Sequence, residues 1–372
     1  MNTRENNFLV PYISANRNYW LVRTEGGTYY DSFHLNGYIG VSWNELDYNF
    51  FNQEKYTGEN PTVSKEDLTA FYEQKYFNDE EKMQYYLKNS KRISTMVNRF
   101  VFEMKKGDIV LIPSASSETI AFGEIMDDHV FFENNLPETP PQEKYDYAYC
   151  PFVKRRSVRW LKDVRKDQLD SNLYTLLYSQ HTINHIDDEK YGHYIDRTLD
   201  SIYIKGDKAH LVLNVQQTGD INALSFADII TGSVKIINGF RQEYPDVGNI
   251  DGKKIKIKAN VQSPGPMELF GSITEVLLLT SIVVDVFGVP INKFKIIGFW
   301  KKEKSDELKD AAKLLESKEF KEYKKKVLPQ HSTINELREN LEELNVESPT
   351  QDVNSTQNVE NHEGIVEYET TE

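Results

Sequence analysis

The sequence predicts an α+β fold with two domains and an acidic tail. A chain of 372 residues, 39% of them hydrophobic, is long enough to form more than one core. Short runs of β-branched and aromatic residues fill the first part of the chain, and helix-type spacing of leucines begins after residue 168. We therefore expect a first domain over residues 1–166, a mixed α/β domain over 167–330, and a short helix with a disordered acidic tail over 331–372.

Closely spaced strands are predicted in the first domain. They are bounded by turn residues and cover 19–23, 38–43, 99–105, 109–114, 120–125 and 149–161. A helix opened by Ser64 is predicted over 64–90. Residues 133–146 predict a surface loop, because their prolines lack the amide hydrogen that a strand ladder needs. Strands of this spacing favour a small barrel, in which the first and last strands are neighbours.

The second domain is predicted to mix helices with strands. The predicted order is two helices around a histidine-rich turn (168–204), a hairpin (202–215), a helix (225–240), a strand that begins at 253 and is ended by SPGP (263–266), and an apolar segment (268–299). Glu275 and Asp285 leave only nine uninterrupted residues between them in that segment, whereas a membrane span needs about 20. A buried helix followed by a strand is therefore expected. An exposed amphipathic helix (301–327) and a short helix (333–344) follow.

The formal net charge of −14 is concentrated in the tail. From Thr333 to Glu372, eleven acidic residues stand against one arginine, so this segment carries −10 and the rest of the chain −4. Seven cations stand against one acid in the basic stripe, which we define as residues 154–166. The N-terminus lacks the features of a secretory signal, which predicts a cytoplasmic protein. A single cysteine, Cys150, excludes a disulfide framework and multi-cysteine zinc sites.

The sequence contains no recognisable catalytic motif. Phosphate-loop, nucleophile-elbow, HExxH and CxxC patterns are absent. After Asp251, Lys256 stands where a restriction-type nuclease needs a second acidic metal ligand. The spacing of His181, His185 and His193 could place two imidazoles on one helical face, but zinc needs at least a third ligand in fixed geometry. We expect no metal site, no cofactor and no enzymatic activity, although a catalytic cluster of carboxylates without a motif stays open.

Aromatic residues and the basic stripe together indicate nucleic-acid binding. Rings in the first strands and Trp160 in the last would be neighbours in a closed barrel, beside Arg159. Rings there could stack on bases, and cations could hold phosphates. The predicted phosphate-contacting residues are Lys154, Arg155, Arg156 and Lys162. In the competing interpretation, the rings fill the barrel core.

Four segments follow one another in the first domain: YWLVRTEGGTYYDSFHLNGYIGVSW, RFVFEMKKGDIVLIPS, IAFGEI and RRSVRWL. In this order they resemble the EVE-like branch of the PUA-like superfamily, as found at the N-terminus of Mrr-type restriction proteins and other prokaryotic defence proteins. The resemblance covers about residues 18–163. It implies a PUA-like β pseudo-barrel with a pocket that reads a nucleobase. The pocket residues that it implies are Trp20, Ser42, Trp43, Pro113, Ser114, Arg159 and Trp160.

The resemblance implies a sensor or regulatory protein of bacterial antiviral defence. Its ligand would be DNA, RNA or a nucleotide-like molecule, including a modified base, bound by the N-terminal barrel. The alternative is a defence effector that acts at a membrane or partner surface through residues 268–299. A protein partner within a defence system fits either function, a membrane is the less favoured partner, and the sequence leaves homo-oligomerisation open.

Overall fold

The computed structural model describes residues 7–133, 146–259, 264–289, 293–297 and 306–349. Most of the predicted proline-rich loop and the acidic residues 350–372 lie outside the described residues. The strands are β1 (Asn7–Ile13), β2 (Tyr19–Val22), β3 (Tyr38–Val41), β4 (Ile109–Pro113), β5 (Thr119–Ile125), β6 (Phe131–Phe132), β7 (Lys154–Arg165), β8 (Ile183–Ile186), β9 (Ile202–Lys205), β10 (Lys208–Val215), β11 (Ile255–Ala259), β12 (Gly265–Ser272) and β13 (Lys293–Ile297). The α-helices are α1 (Tyr30–Leu35), α2 (Tyr48–Phe51), α3 (Lys65–Lys75), α4 (Glu80–Asn98), α5 (His193–Leu199), α6 (Ala223–Glu243), α7 (Ile273–Val286), α8 (Asp306–Glu316), α9 (Lys318–Gln330) and α10 (Ser332–Glu343).

The chain forms two compact units whose bounds differ from the predicted domains. Arg17–Ile195 form one unit, here called the half-barrel unit, and Met1–Asn16 with Asp196–Glu372 form the other, here called the two-segment unit. The half-barrel unit extends past residue 166 because β8 pairs with β2. The first residues join the C-terminal part because β1 pairs with β9 and β13. Long-range strand pairing therefore sets both boundaries.

A curled half-barrel sheet forms the half-barrel unit. The strand order is β3-β7-β5-β4-β2-β8, with β6 also pairing with β7. Neighbours are antiparallel except β2 and β4, which are parallel. Since β4 and β5 separate β2 from β7, the expected contact between the first and last strands of a closed barrel is absent from the described sheet. Trp20 on β2 and Trp160 on β7 therefore lie on strands that do not pair, although both belong to one hydrophobic cluster.

Three segments of the half-barrel unit differ from their predicted structure. The predicted helix over 64–90 is two helices, α3 and α4, and a capping box between Ser64 and Asp67 begins the first. Arg99–Glu103, predicted as a strand, continue α4 as a π-helical turn that buries Phe100 completely. The sequence RFVFE alternates as a strand does, but its packing on the sheet decides otherwise. Ile183–Ile186, which lie in the predicted histidine-rich turn, form β8.

The two-segment unit contains a second sheet, with the order β11-β12-β10-β9-β1-β13. Leu211, Leu213 and Leu269 belong to the core that this sheet shares with α6 and α7. Twelve of the fourteen residues of α7 are buried, which agrees with the predicted buried helix. The predicted short helix at 333–344 is α10. Among the described helices, none is both long and apolar enough to cross a membrane.

Candidate functional site

Three cations of the basic stripe are buried. Lys154, Arg155 and Arg156 expose 0%, 4% and 0% of their surface. Each donates hydrogen bonds to backbone carbonyl oxygens instead of facing solvent. A side chain with so little exposed surface cannot reach a phosphate, so the predicted phosphate contacts do not apply to these three residues. Lys162, the fourth predicted contact, is half-buried.

Lys154 holds the loop that follows β3. Its Nζ donates to the carbonyl oxygens of Trp43, at 2.5 Å, and Leu46, at 3.1 Å. Trp43 has a φ of 63°, a conformation that bulky residues rarely adopt. Burial lowers the pKa of Lys154 to about 7, although Glu45 and Asp47 favour the charged form. The half-buried Trp43 therefore belongs to a strained loop organised around a buried amine.

Arg156 joins two distant segments of the half-barrel unit. Its guanidinium donates to the carbonyl oxygens of Phe100 (2.5 Å), Val101 (2.8 Å) and Asp127 (3.0 Å). Burial lowers the pKa of Arg156 to about 10, so the group stays charged at neutral pH. Arg155 lies over the ring of Tyr38, with its guanidinium carbon 4.2 Å from the ring centre. Both arginines stabilise the fold.

Of the predicted pocket residues, Trp20, Trp43 and Trp160 belong to one hydrophobic cluster of the half-barrel unit, and several of the others make contacts within the fold. Trp20 exposes 1% of its surface, and its Nε1 donates to Asp108 Oδ2 at 2.8 Å. Pro113 is buried, and its carbonyl oxygen accepts from Thr24 Oγ1 at 2.6 Å. Ser114 Oγ accepts from the amide of Thr119 at 2.9 Å, which closes the turn between β4 and β5. Trp20 lies on β2, Pro113 ends β4 and Ser114 follows it, whereas Arg159 and Trp160 lie on β7 and the half-buried Ser42 directly follows β3.

Arg159 is held in an ion pair. Its Nη2 lies 2.5 Å from Glu124 Oε2 on the neighbouring strand β5, and their side chains expose 25% and 13% of their surface. Glu124 pairs with one terminal nitrogen, while the buried Nε has no hydrogen-bond partner among the described residues, so a ligand phosphate would have to compete with Glu124 for the exposed part of the group. Arg159 is therefore a weaker candidate for phosphate binding than the sequence indicates.

Trp160 belongs to a cluster of partly exposed groups, here called the His34 cluster and defined as Tyr30, His34, Trp160 and Asp163. The His34 ring stacks on Trp160, with 5.4 Å between centres and 25° between planes, and on Tyr30 at 5.5 Å and 10°. His34 Nε2 lies 3.0 Å from Asp163 Oδ1. Burial, and then the Asp163 carboxylate, raise the pKa of Tyr30, so its hydroxyl stays protonated as a donor. The cluster combines three nearly parallel rings with an acceptor carboxylate that is 47% exposed.

Local geometry explains why these four side chains meet. Tyr30 and His34 are four residues apart on α1, which places them on one helical face. On β7, Trp160 and Asp163 would face opposite sides of a regular strand, because side chains alternate. A bulge opposite Phe122 and Gly123 inserts one extra residue between them, and both then contact His34. The i, i+4 spacing of Tyr30 and His34 was the signal in the sequence that could have found this pair.

Gly123 makes room for the Trp160 ring. A Cβ at this position would lie 2.7 Å from Trp160 Cε3, closer than side chains approach in folded proteins. We expect Gly123→Ala to lower the free energy of unfolding by about 1–3 kcal/mol through overpacking, and to shift the tryptophan emission. Urea unfolding followed by fluorescence measures both. Gly58→Ala is the matched control, because nothing lies within 4 Å of its Cβ. Equal stability of the two variants would contradict this packing.

A groove follows the His34 cluster along β7. It has a volume of about 610 Å³ and is lined by Glu118, Thr119, Arg165, Lys166, Asp167 and Tyr174. Asp163 and Arg165 are two residues apart, so they share one face of the strand. Arg165 is 69% exposed in its side chain, although it pairs with Asp167, and Lys166 is exposed. The stripe cations that solvent reaches most easily therefore lie beside the rings.

Residues 20–187 match the Domain of unknown function (DUF8426). The match runs from β2 through β8 and covers most of the half-barrel unit, including the His34 cluster and the groove. No match was found among curated proteins or among solved structures. Among the described residues, no group of three or more His, Cys, Asp or Glu side chains is arranged to hold a metal ion.

Proposed function

We propose that the half-barrel unit binds a nucleic acid or a nucleotide-like ligand along the C-terminal half of β7. The observation that carries this proposal is the sequence of groups along β7: Trp160 and Asp163 belong to the His34 cluster, and the groove with Arg165 and Lys166 lies at the end of the strand. A base would stack on the rings, which contributes about 1–3 kcal/mol per base. The phosphate of the same ligand would lie in the groove, where two cations are exposed.

Within this proposal the protein is a sensor or regulator of bacterial antiviral defence, and ligand binding is its signal. The resemblance to EVE-like domains of prokaryotic defence proteins supports this part. The alternative function, an effector that uses residues 268–299, would require α7 to leave its core. Because twelve of the fourteen residues of α7 are buried, the release of this helix would expose a large apolar surface to water. The ligand-binding function is therefore the one that the geometry supports best.

The proposal predicts a salt-dependent effect of two groove cations. The full chain is titrated into labelled single- and double-stranded oligonucleotides, with and without modified cytosines, and anisotropy is measured at several salt concentrations. We expect Arg165→Ala with Lys166→Ala to weaken binding to every probe that binds. The slope of log K against log salt should fall in magnitude by about 1.4–1.8, because each lost phosphate contact contributes about 0.7–0.9.

The matched control is Lys91→Ala with Arg92→Ala, which removes two exposed cations from α4 in the same unit. This variant should bind as the wild type does. Equal effects of the two variants would show that only the net charge matters, and no saturable binding to any probe would refute nucleic-acid binding. Preference for one modified base would identify what the rings recognise.

A further inference from the structure

The second sheet ends in an edge strand that carries lysines. Among the described residues, β11 pairs only with β12. Ile255 and Ile257 face the core, whereas Lys256 and Lys258 alternate with them and are exposed. On its other side β11 has no partner strand among the described residues, and an edge of this kind is a template for a further strand.

The last residues of the chain carry a complementary pattern. Residues 350–372 contain six acidic residues and no lysine or arginine. Within them, the sequence GIVEYET (364–370) alternates two glutamates, Glu367 and Glu369, with the strand-favouring Val366 and Tyr368. The negative charge of this segment complements the positive charge of β11, and both segments alternate with a period of two.

We propose that residues 364–370 of the same chain dock as an additional strand on the free edge of β11. With the glutamates opposite Lys256 and Lys258, the alternation places Val366 and Tyr368 beside Ile255 and Ile257. A shift of one residue would place glutamates beside isoleucines and is disfavoured. Lysines on an edge discourage pairing with other strands, and an acidic strand converts this repulsion into attraction.

The segment that precedes residue 350 brings the tail within reach of β11. Val346 forms a bridge to Val215 at the end of β10, and the amide of Glu347 donates to the carbonyl oxygen of Asn214 at 2.9 Å. From there, β11 is three inter-strand steps away, about 15 Å. The fourteen residues 350–363 can span up to about 45 Å. A tether of this length gives the tail a high effective concentration at its own β11.

Several cations of the basic stripe are poorer partners for the acidic tail. Lys154, Arg155 and Arg156 are buried and bound to carbonyl oxygens, and the exposed Arg165 already pairs with Asp167. In contrast, Lys256 and Lys258 combine exposed charge with a strand edge on which no described residue pairs. This inference concerns the two-segment unit and is independent of the proposed ligand site.

Hydrogen exchange of the full chain, measured by mass spectrometry, tests the docking. We expect Glu367→Lys with Glu369→Lys to increase exchange over residues 255–259 at least tenfold. Asp352→Lys with Glu360→Lys is the matched control, because it changes the tail charge equally outside the docking segment, and it should leave these residues protected. Lys256→Glu with Lys258→Glu should also increase exchange. Combining these two substitutions with Glu367→Lys and Glu369→Lys should restore protection.

Three outcomes would overturn the proposal. They are wild-type exchange over 255–259 in the Glu367→Lys, Glu369→Lys variant, a change at β13 instead of β11, and an equal effect of the control variant. Carbodiimide cross-linking of a mixture of isotopically labelled and unlabelled chains distinguishes the occupant. Links between 367 or 369 and 256 or 258 within one chain support docking of its own tail, and links found only between chains refute it. No oligonucleotide is present, so the result is separate from that of the ligand titration.

Discussion

Replacing Arg156 by methionine is expected to lower the free energy of unfolding by about 1–3 kcal/mol for each buried acceptor that loses its donor. Methionine is also long and unbranched, but it donates no hydrogen bond. The carbonyl oxygens of Phe100, Val101 and Asp127 would therefore lose a donor in a buried environment. The π-helical turn after α4 and the turn near residue 127 would both lose their connection to β7.

Urea unfolding followed by tryptophan fluorescence measures this loss, since three of the four tryptophans lie in the half-barrel unit. Arg92→Met is the control, because Arg92 is exposed on α4 and its replacement should change stability by less than 0.5 kcal/mol, as is usual at the surface. Arg156→Lys should retain part of the stability through its ammonium group. A loss below about 1 kcal/mol for Arg156→Met would contradict the structural role.

Lys154 is expected to make the stability of the wild-type protein rise with pH. Its pKa is about 7 in the folded state, because burial disfavours the ammonium, and 10.5 is the ordinary value. Between these values the unfolded chain binds more protons than the folded chain, so the free energy of unfolding increases with pH. The destabilisation by the buried charge is complete below pH 7 and has disappeared above about pH 10.5. The full interval corresponds to a change of the order of 4 kcal/mol.

Lys154→Met removes this titration, so the difference in stability between wild type and variant should shift in favour of the wild type from pH 7 to pH 10. Urea unfolding at pH 7, 8, 9 and 10 measures the difference, which cancels the titration of the many tyrosines common to both proteins. Lys91→Met, on the surface of α4, should give a curve parallel to that of the wild type. If the Lys154→Met curve is also parallel, Lys154 does not titrate in this range.

Strongly patterned segments were predictable without the structure. The strands β2, β3, β4, β5 and β7 and the helices α6, α7 and α10 follow apolar periodicities that persist over their length. Ile183–Ile186 escaped prediction because four residues, two of them Asn and His, carry too short a pattern. Their strand conformation comes from pairing with β2, about 160 residues earlier in the chain. Arg99–Glu103 were predicted as a strand but form a helical turn, because an alternating pattern alone does not exclude a helix.

The candidate site was predictable only in part. The sequence indicated Trp160 and the cations of β7, but it did not separate exposed cations from buried ones. Arg156 and Arg165 look equivalent in the sequence, yet the first is buried and the second is 69% exposed in its side chain. His34 and Asp163 were missed because the bulge that brings Asp163 to His34 is a property of the β5–β7 pair.

The sequence by itself determined the α+β character, most strands and helices, the uneven distribution of charge and the concentration of rings and cations near residue 160. These features depend on composition and on periodicities within one segment. Only the tertiary structure decided the strand order, the bounds of the two units, the burial of Lys154, Arg155 and Arg156, and the meeting of His34 with Trp160. The physical reason is that burial depends on which distant strands and carbonyl groups surround a side chain, and local periodicity carries little information about partners so far away in the chain.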